Sequence, residues 1–492
     1  MRFLSKGVEV GRSGSKRALF DSLRLASTLF VAAAPAAAQQ PPSTEQRCLL
    51  ELERPLLREG TRIEVTPGVV NFFGGGDARF RCRNQNVRMR SDSVASYQGT
   101  VVQFVGNVRY ADSTIEMTAD FGTYFRDSEK WEARGNVVLR NLTNGSTLVG
   151  PSLDYYRAVK GLKDTAEMLA DHRPTITMPV KDSITGETSE PYVVVGDRVR
   201  TRGNDQVSSF GRVTIDRSDF RGRADSLFLD SGKGSRGELI GRASLRRVAA
   251  DSFDLAGQRI DLALEQRELT FVTAHDSASL NSGSLQLVGD GIGLDVNTRK
   301  VEQTLAWGKI VRPYALSSDY EIRGDSLAFD TPAQQLKEIR AFGDAWVGAK
   351  PDSGSGDRDW IAGDKVVASF VERDSAGKKS PALSSVVATG EARALYRLRQ
   401  AGETQASITY NKAKEIRITM RVTNDSVNVA DVTAIGDVEG IHLQPAPAKA
   451  KPDSIKADST KVDTTRAARP PFALSPRSGR AIRSLPFARL PR

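Results

Sequence analysis

Metal-binding and catalytic residue types are scarce in this chain. Of 492 residues, two are cysteine (Cys48 and Cys82) and three are histidine (His172, His275 and His442). No histidine lies at ligand spacing from another, which excludes a sequence-encoded zinc site and leaves surface histidines. Cys48 follows Glu45-Gln46-Arg47, without the small apolar residues that precede a lipid-anchored cysteine. Walker, dinucleotide-binding and Gly-x-Ser-x-Gly motifs are all absent in usable contexts. Gly74-Gly75-Gly76 is followed by no Lys-Ser/Thr, so a plain turn is expected there. Asp251 and Asp254, and Asp357 and Asp359, sit in turn-like contexts and read as solvated acids. No enzyme and no cofactor are expected. Helical periodicity appears nowhere at length, and beyond the N-terminus no run approaches the roughly 20 apolar residues of a spanning helix.

The net charge of +10 is unevenly spread. Residues 1–38 carry +4 and residues 446–492 carry +8, which leaves the body, 39–445, at −2. A near-neutral body with basic ends lacks the footprint of a nucleic-acid-binding domain. Residues 1–38 have the order of an export signal: Arg2, Lys6, Arg12, Lys16 and Arg17, then an apolar run from Leu25, then Ala36-Ala37-Ala38 before Gln39. The expected product is therefore soluble outside the cytoplasm or loosely associated with a membrane. Cys48 and Cys82 lie beyond the cleavage site. An oxidising compartment allows them to pair, and the sequence leaves open whether they do. From Pro445 the chain turns Pro/Ala/Lys-rich and aperiodic, so 446–492 reads as a disordered basic tail. Its Arg residues interleave with Phe472, Leu474, Ile482, Leu485, Phe487 and Leu490, which admits contact with a membrane surface or a plain solvated tail.

What is abundant is repetition. Gly106, Asp120, Gly135 and Gly150 are spaced 14, 15 and 15 residues apart. The rhythm resumes at Gly211, Asp225, Gly241, Gly257, His275-Asp276, Asp290, Gly308, Asp325 and Gly343. Two units alternate, one opening on Asp-Ser-Leu (Asp225-Ser226-Leu227, Asp325-Ser326-Leu327) and one on Gly-x-Val/Ala (Gly135-Asn136-Val137, Gly241-Arg242-Ala243). About 15 residues fit one strand plus a turn, and such rungs bury their apolar sides by stacking. One parity is apolar: Phe104, Val108, Tyr110; Ile115, Met117, Ala119, Phe121; Val137, Leu139; Leu227, Leu229; Ile260, Leu262, Leu264; Ile292, Leu294. Leu269/Phe271 and Leu285/Leu287 extend that inner row. The chain divides into a first β module at 45–180, an interruption at 157–190 with a strand at Thr175-Ile176-Thr177, and a longer β repeat region at 191–445. Longer loops are expected at Pro351–Asp359 and Glu372–Pro381.

Gly106-Asn107-Val108, Ala119-Asp120, Tyr124, Gly135-Asn136-Val137, Gly150 and Asp154-Tyr155 resemble the motifs of the OstA/LptA-like family. That family comprises periplasmic lipopolysaccharide-transport proteins and the N-terminal part of the outer-membrane translocon. Residues 205–345 repeat the pattern at Asp225, Gly241, Asp290, Gly308, Asp325 and Gly343. The resemblance implies an open β-jellyroll whose sheets enclose an apolar groove for the acyl chains of lipopolysaccharide or a similar glycolipid. It also implies that jellyroll components join end to end by strand addition. The array is longer than a single-module carrier, which points to two or more fused modules, and the translocon's barrel has no counterpart here. Two alternatives stand beside this: a right-handed β-helix that handles polysaccharide, and an envelope scaffold with a dry core.

Overall fold

The protein is described by a computed structural model in residues 47–53, 60–181, 188–232, 235–248, 252–265, 268–283, 285–297, 300–350, 358–375, 378–398, 406–423 and 427–444. The export signal expected at 1–38 and the basic tail at 446–492 lie outside the described residues. The described residues form a mainly β architecture, 28 strands in one antiparallel sheet. The long strands pair with the next along the chain, as Ile115–Phe125 does with Lys130–Asn141 and Lys130–Asn141 with Thr147–Tyr156. A β-helix stacks parallel coils, so this antiparallel order removes that alternative. Hydrogen bonding also runs through 157–190. Glu167–Asp171 and Thr175–Lys181 both pair with Thr147–Tyr156, and Thr188–Val195 continues the ladder to Gln206–Arg217.

The long strands are bent near their middles, and the bend explains the two alternating sequence units. In Lys130–Asn141 the register slips between Arg134 and Val137. Gly135 and Asn136, at φ of 75° and 45°, form a two-residue bulge. The neighbouring strand contributes Asp120, whose carboxylate lies against Gly135 so closely that an added Cβ would sit 2.5 Å from Oδ2. Asn136 Nδ2 donates to the same oxygen at 2.8 Å. The same contact joins Asp92 to Gly106, Asp197 to Gly211 and Asp225 to Gly241 at 2.5 Å, and recurs between Asp325 and Gly343 and between Asp364 and Gly390. Asn107, Arg212 and Arg242 complete it as Asn136 does, donating to Asp92, Asp197 and Asp225. Asp290 makes a variant corner. It accepts from the N–H groups of Lys309, Ile310 and Val311 at 2.6–2.9 Å.

The bends divide the sheet into two half-sheets whose inner faces meet. Trp131, before the bend of its strand, packs on Phe104 of its own half-sheet at 5.1 Å and on Tyr110 of the other at 5.2 Å between ring centroids. Further along, a Cβ added at Gly222 would lie 3.6 Å from Leu239 Cδ1 across the same gap.

Several expectations are corrected. Phe121 faces solvent, 54% exposed. The single corner residue Asp120 switches the inward parity, from Ile115, Met117 and Ala119 before it to Gly122 and Tyr124 after it. Phe271 is outward as well. The register slips at Leu264/Leu269, so Leu269 faces in while the Phe271 ring lies over Gly293. Gly74-Gly75-Gly76 is no turn between strands but lies inside Val69–Cys82, with Gly76 and Asp77 at its bend. Nor is Glu372–Pro381 an open loop, because Trp360–Ser375 and Lys378–Leu398 pair through it.

Gly135→Ala is expected to cost about 1–3 kcal/mol, from the left-handed backbone and the clash with Asp120. Gly75→Ala, whose Cβ would meet Ser93 Oγ at an ordinary 3.5 Å, should stay within about 0.5 kcal/mol. Urea denaturation of the two variants measures the difference. The Asp290 corner adds a pH dependence. The N–H groups of Ile310 and Val311, with Lys309, hold its carboxyl below the usual range. Its contribution is therefore present above the unfolded carboxylate value of about 3.9 and is lost as pH falls through the folded value. Asp290→Asn should flatten the acid limb of the stability curve.

Candidate functional site

Among the described residues the apolar parity converges on the space between the half-sheets, which changes character along the chain. Over residues 87–155 it is filled. Phe104, Trp131, Tyr110 and Tyr155 form a chain of rings with centroid distances of 5.1, 5.2 and 5.9 Å, and Tyr124 joins at Trp131. Carboxylates and tyrosine hydroxyls close the edge of this section, Glu129 fully buried and Asp112 partly so. Glu129, at 1% exposure, accepts from the Cys48 N–H at 2.7 Å, Tyr124 Oη at 2.8 Å and Arg157 Nη2 at 2.6 Å. Asp112 accepts from the hydroxyls of both Tyr110 and Tyr155 at 2.9 Å. Burial, and then the Asp112 carboxylate, push both phenols above their ordinary range, so they remain donors. Cys48 and Cys82 are joined by a disulfide with a Cα–Cα distance of 5.0 Å, which ties the first described segment over this end.

Beyond the filled section lie two apolar cavities. The first, about 90 Å³, is lined by Leu139 and Ile176 of one half-sheet and by Met168, Leu229, Leu262 and Leu269 of the other, among others. Its mouth is polar. Two turns from opposite half-sheets meet there, where Asn141 Nδ2 donates to Asn204 Oδ1 at 3.0 Å and Asn144 Nδ2 to the Asn204 carbonyl at 2.9 Å. The second cavity, about 340 Å³, is lined by Phe253, Leu294, Tyr320, Phe329, Leu336 and Phe370, with Ser317, Ser318, Thr331 and Gln334 among its polar lining.

The expected groove residues therefore separate. Leu139, Leu229, Leu262 and Leu264 line the first cavity and Leu294 lines the second. Phe104, Val108, Tyr110, Ile115, Met117 and Val137 are 0–3% exposed and line neither. They are core rather than the wall of an open groove, because the rings of Trp131 and its neighbours occupy the space they face. Leu227, Ile260 and Ile292, at 0%, also line neither. Sequence reasoning missed most of the facing wall, including Met178, Tyr192 and Phe220 at the first cavity and Phe253 and Tyr320 at the second. Their alternation was visible, but which residues meet across the gap is set by the bends.

Exposed strands stand at both edges of the sheet. Thr61–Thr66 is exposed throughout, with Ile63 at 51%, and Glu439–Leu443 likewise, with Ile441 at 61%. Each pairs on one side only among the described residues. No model of a known protein family matches the chain, and no curated protein is significantly similar to it.

Glu129→Ala should cost about 3–5 kcal/mol by leaving Arg157 uncompensated in a largely buried setting. Arg157→Leu in that background should recover part of the loss, which a double-mutant cycle in urea measures.

Proposed function

We propose that this protein binds and carries the acyl chains of a glycolipid between its half-sheets, as one piece of an envelope bridge and without catalysis. The observation that carries this reading is the pair of apolar cavities between the half-sheets, each with a polar rim. Removing a methylene from water is worth about 0.8 kcal/mol, so eight buried methylenes give about 6 kcal/mol. A polar rim lets the head stay hydrated while the chain is buried. Lipopolysaccharide, or a similar glycolipid, is the class that the resemblance of the Gly-Asn-Val and Ala-Asp units implies. Export past the inner membrane to the periplasm follows from the order of residues 1–38, and contact of the tail with a membrane surface belongs to the same reading.

The one-sided terminal strands supply the means of joining other jellyroll components. Unpaired N–H and C=O groups along an exposed strand template a further strand. A second reading, a scaffold without cargo, draws on the filled section around Trp131, where no guest fits. In the carrier reading that section is the structural end and the cavities beyond it do the binding.

Photo-crosslinking residues separate the two. A benzophenone side chain at Leu229 or Phe329 should give lipid adducts in cells, and one at Val137, in the filled section, should not. Absence of adducts at both cavity positions, or equal yields at all three, would sink carriage.

A further inference from the structure

Taking the protein to carry acyl chains, as proposed above, we infer that the second cavity is the one that lodges a chain whole, and that it takes a single chain of about a dozen carbons. The first cavity admits no more than a chain end. The inference comes from volume. Sites for small molecules start at about 300 Å³, and an apolar cavity of about 150 Å³ holds one benzene. The second cavity, about 340 Å³, exceeds the lower bound for a ligand site. On the benzene scale it has room for about a dozen carbons. The first, about 90 Å³, has room on the same scale for about four.

The fold places both hollows at the same kind of position. Each opens where strands are broken at the bend instead of running through it. At the first, Glu167–Asp171 and Thr175–Lys181 are separate strands, as are Thr188–Val195 and Arg198–Arg202. At the second, the breaks fall between Lys300–Trp307 and Tyr314–Leu316, and between Tyr320–Arg323 and Ser326–Asp330. The strands of the filled section, such as Lys130–Asn141, run through their bends. The second cavity is also arranged as an alkyl chain requires. Ile322 and Val347 of one half-sheet and Leu294 and Phe329 of the other are buried and form its wall. Ser317 and Ser318 on the first side, and Thr331 and Gln334 on the second, lie in turns at the strand ends, half-buried or exposed. A chain pointing inward from those turns leaves its head in water. Methylenes in excess of the cavity stay in water with the head and add little to binding.

The test is equilibrium dialysis of the purified full chain against radiolabelled octyl, decyl, dodecyl, tetradecyl and hexadecyl β-maltoside, each below its micelle threshold. Affinity should rise about fifteenfold with each added pair of methylenes up to about the dodecyl chain, and less than about twofold per pair beyond it. One chain should bind per protein. Leu336→Trp, at the partly buried rim of the second cavity, should weaken dodecyl maltoside at least about tenfold. Leu269→Trp, at the first cavity, should leave it unchanged. Circular dichroism checks that both variants are folded, and the wild-type series decides alone if either is not. A gain that continues undiminished to the hexadecyl chain, or two chains per protein, would overturn the inference and leave carriage standing. So would a folded Leu336→Trp that binds as the wild type does, or a folded Leu269→Trp that binds as weakly as Leu336→Trp. If no maltoside binds, carriage itself falls, and this inference with it.

Discussion

A carboxylate laid against a glycine organises this molecule. On one strand an Asp reaches the bend, and on the next a Gly in a left-handed conformation leaves room for it, followed by an Asn or Arg that bonds the same carboxylate. Asp120, Gly135 and Asn136 show the full set, and Asp225, Gly241 and Arg242 repeat it about a hundred residues later. The contact is local in space but joins neighbouring strands, so each corner positions the next. A β-branched residue at Gly135 would meet both the backbone penalty and the Asp120 side chain. That double exclusion is why the chain returns to Gly at this point of alternate strands.

The corners set where the two half-sheets face each other, and side-chain volume sets what lies between. Around Trp131, large rings from both sides fill the gap, and the hydroxyls of Tyr110, Tyr124 and Tyr155 find carboxylates at its edge. Further along, the facing residues are more often aliphatic, and space remains. One backbone scheme thus yields a sealed end and a hollow run without any change in topology.

Buried charge marks the difference between these regions. Glu129 is enclosed, yet it accepts three hydrogen bonds and pairs with Arg157, so it locks the sealed end in one arrangement. Asp205 and Asp319, among the lining of the two cavities, are exposed, where a carboxylate keeps its water and costs the fold little.

By itself, the sequence determined the strands and the spacing of the Gly and Asp marks, but those marks read as turns between strands and lie instead at bends within them, as Gly106, Asp120 and Gly135 do. Period-2 alternation, Gly and Asp are local signals, and they are read along the chain. It also determined which aliphatics form one side of the interior, as Leu229, Leu262 and Leu294 show. Tertiary structure decided the rest. A single corner residue reverses inward and outward, so Phe121 could not be placed without knowing that Asp120 is the corner. The joining of Cys48 to Cys82 depends on the first segment folding back over Val69–Cys82. Filled core and open cavity share one alternation pattern, because what separates them is the volume of side chains that meet from strands distant in sequence, and only the folding together of the half-sheets brings those strands face to face.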